Sequence, residues 1–525
     1  MSSTTNRREF LEESAAAAAG VALAGAALAP AVLEAAQPEP TKAPRRPNII
    51  LFLVDDMGWQ DTSVPFHTAR TPLNDRYRTP AMERLAATGV KFTQAYACCV
   101  CSPTRVSLMC GLNAARHRVT NWTLHHKKGP DAPHPTLDFP AWNTGGLCMT
   151  PGVERTVHAV TFPALLREAG YRTIHVGKAH LGAVGTPGAD PRHLGFDVNI
   201  AGHAAGGPGS YLGTQNFSAA WRGGDRVWDV PGLEAYHGQD IFLTEALTRE
   251  ALKQLDQAAN AGAPFFLYMS HYAVHVPFAP DARFIQRYRD AGLDETEAMY
   301  AALVEGMDKS LGDLLAWLDR TGLAAGTAVL FMSDNGGLSA HGRGGPPHTH
   351  NAPLSSGKGS AHEGGIREPM IVRWPGVTLP GTVCDRRVII EDFFPTILDM
   401  AGVTGWQDKV GIDGASFAPL LRQGGTREDR PFFWHYPNHW GPTGPGIGPH
   451  SAVRKGDWKL IYYHADRRFE LFNVAADIGE TTNLADDQPE RLAAMAAELT
   501  AYLASVSAQM PTDKRTGKPV PLPTL

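Results

Sequence analysis

Residues 48–54 form a nearly unbroken apolar run that stops at Asp55-Asp56. A short run of this kind, bounded by polar residues, reads as a strand covered on both faces, as in a parallel sheet between helix layers. Similar runs recur at 172–176, 264–270, 327–333 and 369–373. Between them the apolar positions take helical spacing, over 80–87, 162–169, 240–258 and 295–319. In the last, Met299, Leu303, Met307, Leu311, Leu315 and Leu318 keep one face apolar, the pattern of a helix packed on a core. The alternation predicts an α/β fold: a large mixed, mostly parallel sheet sandwiched by helices. Near Gln423 the pattern shortens to strand-like pieces at 432–435, 451–453, 458–463 and 469–472. A closing amphipathic stretch at 489–507 carries Leu492, Met495, Leu499 and Leu503 on one side. We therefore expect a main domain over 48–425 and, over 426–525, a small antiparallel sheet plus helix. The Gly-rich segments 201–213 and 336–359 are expected as loops over one sheet edge.

Composition narrows the function classes. The chain is 43% hydrophobic and 19% charged, as soluble globular proteins are. A net charge of -5 and the lack of a basic run leave no phosphate-tracking surface, so no nucleic-acid partner is expected. Asn6-Arg7-Arg8-Glu9-Phe10-Leu11 followed by the Ala-rich run 14–29 resembles a twin-arginine export signal. Residues 1–36 are read as that signal and 37–47 as a Pro-rich linker. The export machinery is thus an expected partner and the periplasm or exterior the expected location. The run falls short of the about 20 strongly apolar residues of a membrane span, so no stable anchor is expected. Six cysteines are few for an exported chain of this size, so disulfides are not expected to organise the fold.

Polar groups that follow buried parallel strands converge on one sheet edge, where open α/β folds bind ligands. Here they are Asp55, Asp56, His271, Asp334 and Asn335. Asp55, Asp56, Asp334 and Asn335 offer oxygen ligands alone, a set suited to Ca2+ or Mg2+, whereas zinc recruits His or Cys. Residues 101–111 read Cys-Ser-Pro-Thr-Arg-Val-Ser-Leu-Met-Cys-Gly, or C-x-P-S/T-R-x-x-L-x-x-G. Pro103 suits the first turn of a helix, and that helix would aim backbone N–H groups at an anion.

These segments together resemble the type I sulfatase family, formylglycine-dependent and alkaline-phosphatase-like in fold. Beside the signature stand Val54-Asp55-Asp56-Met57-Gly58, Gly177-Lys178-Ala179-His180-Leu181-Gly182 and His275-Val276-Pro277. Ser333-Asp334-Asn335-Gly336-Gly337, Gly357-Lys358-Gly359-Ser360 and Glu363-Gly364-Gly365-Ile366-Arg367-Glu368-Pro369 complete the set, all in the family's order. The resemblance implies that a formylglycine-generating enzyme oxidises Cys101 to formylglycine. The hydrated aldehyde carries two hydroxyls, one to attack sulfur and one to lose its proton and expel sulfate. It further implies a metal held by Asp55, Asp56, residue 101, Asp334 and Asn335. Arg105 would support the diol; Lys178, Lys358 and His275 would bind sulfate, with His275 or Lys358 protonating the departing alcohol. His180 would be the base that releases sulfate. Substrate contacts are expected among His271, Arg343, His435, His439 and Trp440. The implied activity is hydrolysis of sulfate monoesters on a carbohydrate. The alternatives are a phosphonate or phosphate ester hydrolase of the same superfamily, or a carbohydrate-binding homologue whose Cys101 stays a thiol.

Overall fold

The computed structural model describes residues 46–525, so the expected export signal and most of the linker lie outside the described residues. β1 (Asn48–Val54) runs through the interior of a nine-stranded sheet. On one side lie β6 (Thr327–Ser333), β7 (Arg367–Arg373), β2 (Val90–Tyr96) and β8 (Thr382–Cys384), with β9 (Val388–Ile389) also paired to β2. On the other lie β5 (Phe265–Ser270), β3 (Arg172–Gly177) and β4 (Val198–Ile200). Pairing is parallel except along β7, which runs antiparallel to both β6 and β2. The mixed, mostly parallel sheet is therefore as the apolar runs imply.

β1 shows why those runs are unbroken. Ile49, Leu51 and Leu53 enter one apolar layer and Ile50, Phe52 and Val54 the other. The first layer is closed by α2 (Cys101–Cys110), α3 (Phe162–Glu168) and α6 (Phe393–Met400), the second by α1 (Pro80–Thr88), α4 (Leu243–Ala261) and α5 (Glu295–Arg320). Asp294 caps α5, accepting hydrogen bonds from the amides of Thr296 and Glu297. β2 escapes the run-based reading because Lys91, Thr93 and Gln94, each half-buried, interrupt its buried positions Val90, Phe92, Ala95 and Tyr96.

The second sheet is antiparallel, in the order β10 (Phe432–Tyr436), β11 (His450–Lys455), β12 (Trp458–Tyr463), β13 (Phe469–Asn473). α7 (Pro489–Ser505) covers one face, where Val453, Leu460, Leu499 and Leu503 share an apolar cluster. Ala452 and Ile461 turn the other face into the main core, so Arg46–Leu525 make one compact unit. Among the described residues no helix is long and apolar enough to cross a membrane.

Register decides where the polar strand ends fall. Val54 pairs with Ser333 and Leu53 with Ser270, while Gly177 pairs with the same Ser270. Asp55-Asp56, Asp334-Asn335 and Lys178 thus leave the sheet side by side. Because β7 runs the opposite way, the segment leading into it, with Lys358, arrives at that same edge.

Candidate active site

Asp55, Asp56 and Asp334 are wholly buried, and a carboxylate oxygen from each lies within 4.8 Å of the others. Asp56 adopts a left-handed backbone (φ 60°), which aspartate tolerates better than most side chains. Asn335 Nδ2 donates to Asp56 Oδ1 at 2.8 Å, which leaves Asn335 Oδ1 without a partner. Asp55 Oδ1 is likewise buried and unpartnered. Burial pushes the Asp55 carboxyl well above the carboxylate range, with the Asp334 and Asp56 charges adding to it against Lys178. Oxygen ligands, orphaned acceptors and crowded negative charge together fit a hard divalent cation.

Three cations press on this cluster from separate elements. Arg105, buried one turn into α2, donates through Nε to Asp334 Oδ2 at 2.8 Å and through Nη1 to Ser270 Oγ at 2.6 Å. Lys178 Nζ donates to Asp55 Oδ2 at 2.6 Å. The turn before it requires Gly177: at φ 102°, a Cβ there would lie 1.9 Å from the Ser270 carbonyl oxygen. Lys358 Nζ reaches both Asp56 oxygens, at 2.6 and 2.8 Å. Burial disfavours both charges of that pair. Even so, mutual attraction holds the Lys358 ammonium above its ordinary range and, with His275 and Lys178, holds the Asp56 carboxyl below its own. The Gly359 amide donates to the Cys99 carbonyl at 2.7 Å, tying the Lys358 loop to the lead of α2.

Cys101 opens α2 and is 3% exposed. With Asp56, His180, His275 and Lys358 it lines a pocket of about 170 Å³. Burial raises the thiol pKa against the pull of Lys178 and Lys358. The two histidines have defined tautomers, because a carbonyl only accepts. His180 Nε2–H donates to the Thr123 carbonyl at 2.8 Å, leaving Nδ1 a buried acceptor without a partner. Burial first, then Lys178 and Arg105, keep this imidazole neutral far below its ordinary range. His275 Nδ1–H donates to the Val276 carbonyl at 2.7 Å, and its Nε2 lies 3.8 Å from Asp56 Oδ2. Burial, with Lys358 second, pulls its pKa down to about 3.

Residues 47–403 match the family model described as Sulfatase. The chain belongs to the sulfatase family. It is a sulfuric ester hydrolase. Residues 357–509 also match the C-terminal model of N-sulphoglucosamine sulphohydrolase. A sulfatase of Formosa agariphila is 31% identical over 504 residues, covering 86% of this chain and 86% of that one. The N-acetylgalactosamine-6-sulfatase of Mus musculus is 31% identical over 466 residues, covering 85% and 79%. Among solved structures, Ps i-CgsB in complex with k-i-k-neocarrahexaose superposes with TM-score 0.68 at 26% identity, covering 87% of this chain and 93% of that one.

Of the expected substrate contacts, Trp440 lies on the pocket lining, with its ring 5.2 Å from that of His341. Four expected substrate contacts lie elsewhere. His271 follows β5 but turns away from the edge: it is wholly buried, bonded through Nε2 to Ser310 Oγ at 2.9 Å and packed on Phe52. Arg343 has its side chain 1% exposed, bound to Glu297 and Tyr77 and stacked 3.5 Å from the Tyr300 ring centroid. His435 is buried in the second sheet between Ser451 Oγ and the Gln509 carbonyl. His439 packs on His134 and Phe139. His271, Arg343 and His435 are each engaged by groups outside the pocket, whereas His439 is held by ring packing, with its Nδ1 unpartnered. Trp122 and Trp228 line the pocket without a motif to announce them. Trp122 comes from an irregular segment and Trp228 from a short 3-10 turn, where no periodicity fixes which way a side chain faces.

Proposed function

We propose that this sulfatase hydrolyses sulfate monoesters on a carbohydrate, using residue 101 as nucleophile after its conversion to formylglycine. Asp55, Asp56, Asp334, Asn335 and residue 101 would hold the cation, Ca2+ or alternatively Mg2+. The observation that carries this reading is the pair of buried, unpartnered oxygens, Asp55 Oδ1 and Asn335 Oδ1, in a cluster that shares its pocket with Cys101 through Asp56. A bound divalent cation would lower the cost of negative charge at residue 101 and at a sulfate oxygen. Formylglycine hydrate would present two hydroxyls, one to attack sulfur and one whose proton leaves as sulfate is released.

The chain's own groups account for the rest. Asp55, Asp56 and Asp334 balance Arg105, Lys178 and Lys358 formally, so a divalent cation leaves a positive surplus for an anionic ester. Lys178 and Lys358 neutralise charge on the sulfate oxygens, and amides at the start of α2 add to this. Lys358, held protonated by Asp56, is the donor for the departing alcohol oxygen. His275 is held neutral, with Nε2 as an acceptor that orients the ester or one of its hydroxyls. His180 Nδ1 takes the proton from residue 101 that frees sulfate, its tautomer fixed by Thr123. Trp122 and Trp440 at the pocket offer faces on which a sugar ring can stack. The sugar reading is supported by the names of the Mus musculus relative and of the oligosaccharide-bound structure. The twin-arginine-like sequence at residues 6–29 supports export, which on this reading follows the action of a formylglycine-generating enzyme.

Mass spectrometry of the peptide across residue 101, with rates on 4-nitrophenyl sulfate and 4-nitrophenyl phosphate, tests the reading. A converted residue and sulfate-selective turnover are expected, lost in Cys101→Ala and on chelation, and restored by Ca2+ or Mg2+. An unmodified thiol in fully active enzyme, or rescue by zinc alone, overturns it.

A further inference from the structure

The reaction pocket, about 170 Å³, has room for a sulfate group and little more of its substrate. It does not end there. Trp228, His275 and Val276 are a wall shared with a second cleft of about 490 Å³, which continues along Gly207, Pro208, Arg222 and Asp225. That volume lies within the range of about 300–1,000 Å³ typical of dedicated ligand sites.

The second cleft is built from two consecutive turns. Ala219–Arg222 is a 3-10 turn capped by Ser218, and Arg226–Trp228 is another, capped by Asp225 Oδ1 on the Val227 amide. Arg226 is paired with Asp229, whereas the Arg222 side chain forms no ion pair or hydrogen bond among the described residues. An unengaged guanidinium thus faces a cleft that opens beside an aromatic wall. Trp221, 53% exposed, is anchored next to it by an Nε1–H bond to the Gly209 carbonyl at 2.9 Å. Aromatic faces, a free guanidinium and a carboxylate acceptor are the groups that hold a sugar ring bearing an anionic substituent.

We infer that this cleft is a subsite for the sugar unit next to the one being desulfated, and that Arg222 binds a sulfate or carboxylate on that neighbour. Trp228 divides the two units. The substrate class is therefore an acidic oligosaccharide, with the sulfate ester in the small pocket and the adjoining unit in the large one. The inference rests on the sulfatase reading, yet it can be tested without turnover.

Isothermal titration calorimetry on the full-length Cys101→Ala protein separates the two. The ligands are galactose 4-sulfate and N-acetylgalactosamine 6-sulfate, compared with di- and tetrasaccharides of ι-carrageenan (sulfate on the neighbour) and of chondroitin 6-sulfate (carboxylate on the neighbour). At least one oligosaccharide series is expected to bind about tenfold or more tighter than its monosaccharide, and Arg222→Ala in that background to close the gap. The series that responds identifies the anion. Equal affinity for monosaccharides and oligosaccharides, or a gap that survives both Arg222→Ala and Trp228→Ala, overturns the subsite. Failure of the converted wild-type enzyme on 4-nitrophenyl sulfate would instead count against the activity, and calorimetry would still read the cleft.

Discussion

Two clusters of buried charge lie near each other in this chain, and they differ in what they leave undone. Around Glu363, at the join between the Lys358 segment and the second sheet, both carboxylate oxygens are fully engaged. Oε2 accepts from Tyr96 Oη and Arg367, and Oε1 from Lys459 and Arg454. Lys459 also bridges to Glu480 at 2.5 Å, and the Glu480 carboxylate accepts the Glu363 amide. Burial works against the Glu363 charge, but Lys459, Arg454 and Arg367 outweigh it and hold the carboxyl below its usual range. The Asp55 cluster is equally buried and equally supplied with cations, yet it keeps orphaned oxygens and a carboxyl pushed upward. A buried charge network is thus not itself the mark of a site; a network left short of partners is.

The sharpest way to break this contrast is to neutralise one carboxylate in each cluster. Asp55→Asn should cost on the order of 10³-fold in turnover while melting at or above the wild-type temperature in chelator, because it removes a charge that the fold does not fully compensate. A loss of both activity and stability would put Asp55 in the structural class. His180→Ala should lower the rate by about 10²-fold with the sulfate-release step most affected, read as a burst of alcohol on rapid mixing with excess substrate. Glu363→Gln should do the reverse of Asp55→Asn. With three cations left around a neutral amide, it should lose about 3–5 kcal/mol of stability in urea melts, and its residual folded fraction should still turn over sulfate ester. The mildest test is pH. His117, His175 and His271 are held neutral down to about 3, and His435 and His450 to about 4, burial being the main cause in each. Unfolded imidazoles bind protons below 6.5 while these do not, so stability should fall steadily as pH drops from 6.5 toward 3. Denaturation midpoints flat across that range would mean these rings are charged in the fold.

The sequence was most informative where chemistry and backbone coincide. Asp55, Asp56, Asp334 and Lys178 follow strands whose burial is written in unbroken apolar runs, so their convergence needed only parallel pairing. Lys358 is harder to place, since its edge depends on β7 running against its neighbours, which no run of residues declares. Polar side chains beside those ends are less legible. His271 occupies a strand terminus like Asp55, but its ring turns toward Ser310 on α5, a helix distant in sequence. Arg343 sits in a glycine-rich loop that reads as solvated, yet Glu297 and Tyr300 bury its side chain. Trp228 and Arg222 leave no signal in the sequence because the short 3-10 turns that carry them have no periodic trace.

The near-complete enclosure of Cys101 has a practical corollary for anyone preparing this enzyme. If residue 101 must be converted while its segment is still reachable, the closing of α2 against the Gly359 amide ends that opportunity. The active fraction of a preparation then records a race between chain collapse and oxidation. Two batches of identical sequence and equal melting temperature would differ in specific activity, and slower synthesis would raise the count of working molecules without altering any one of them.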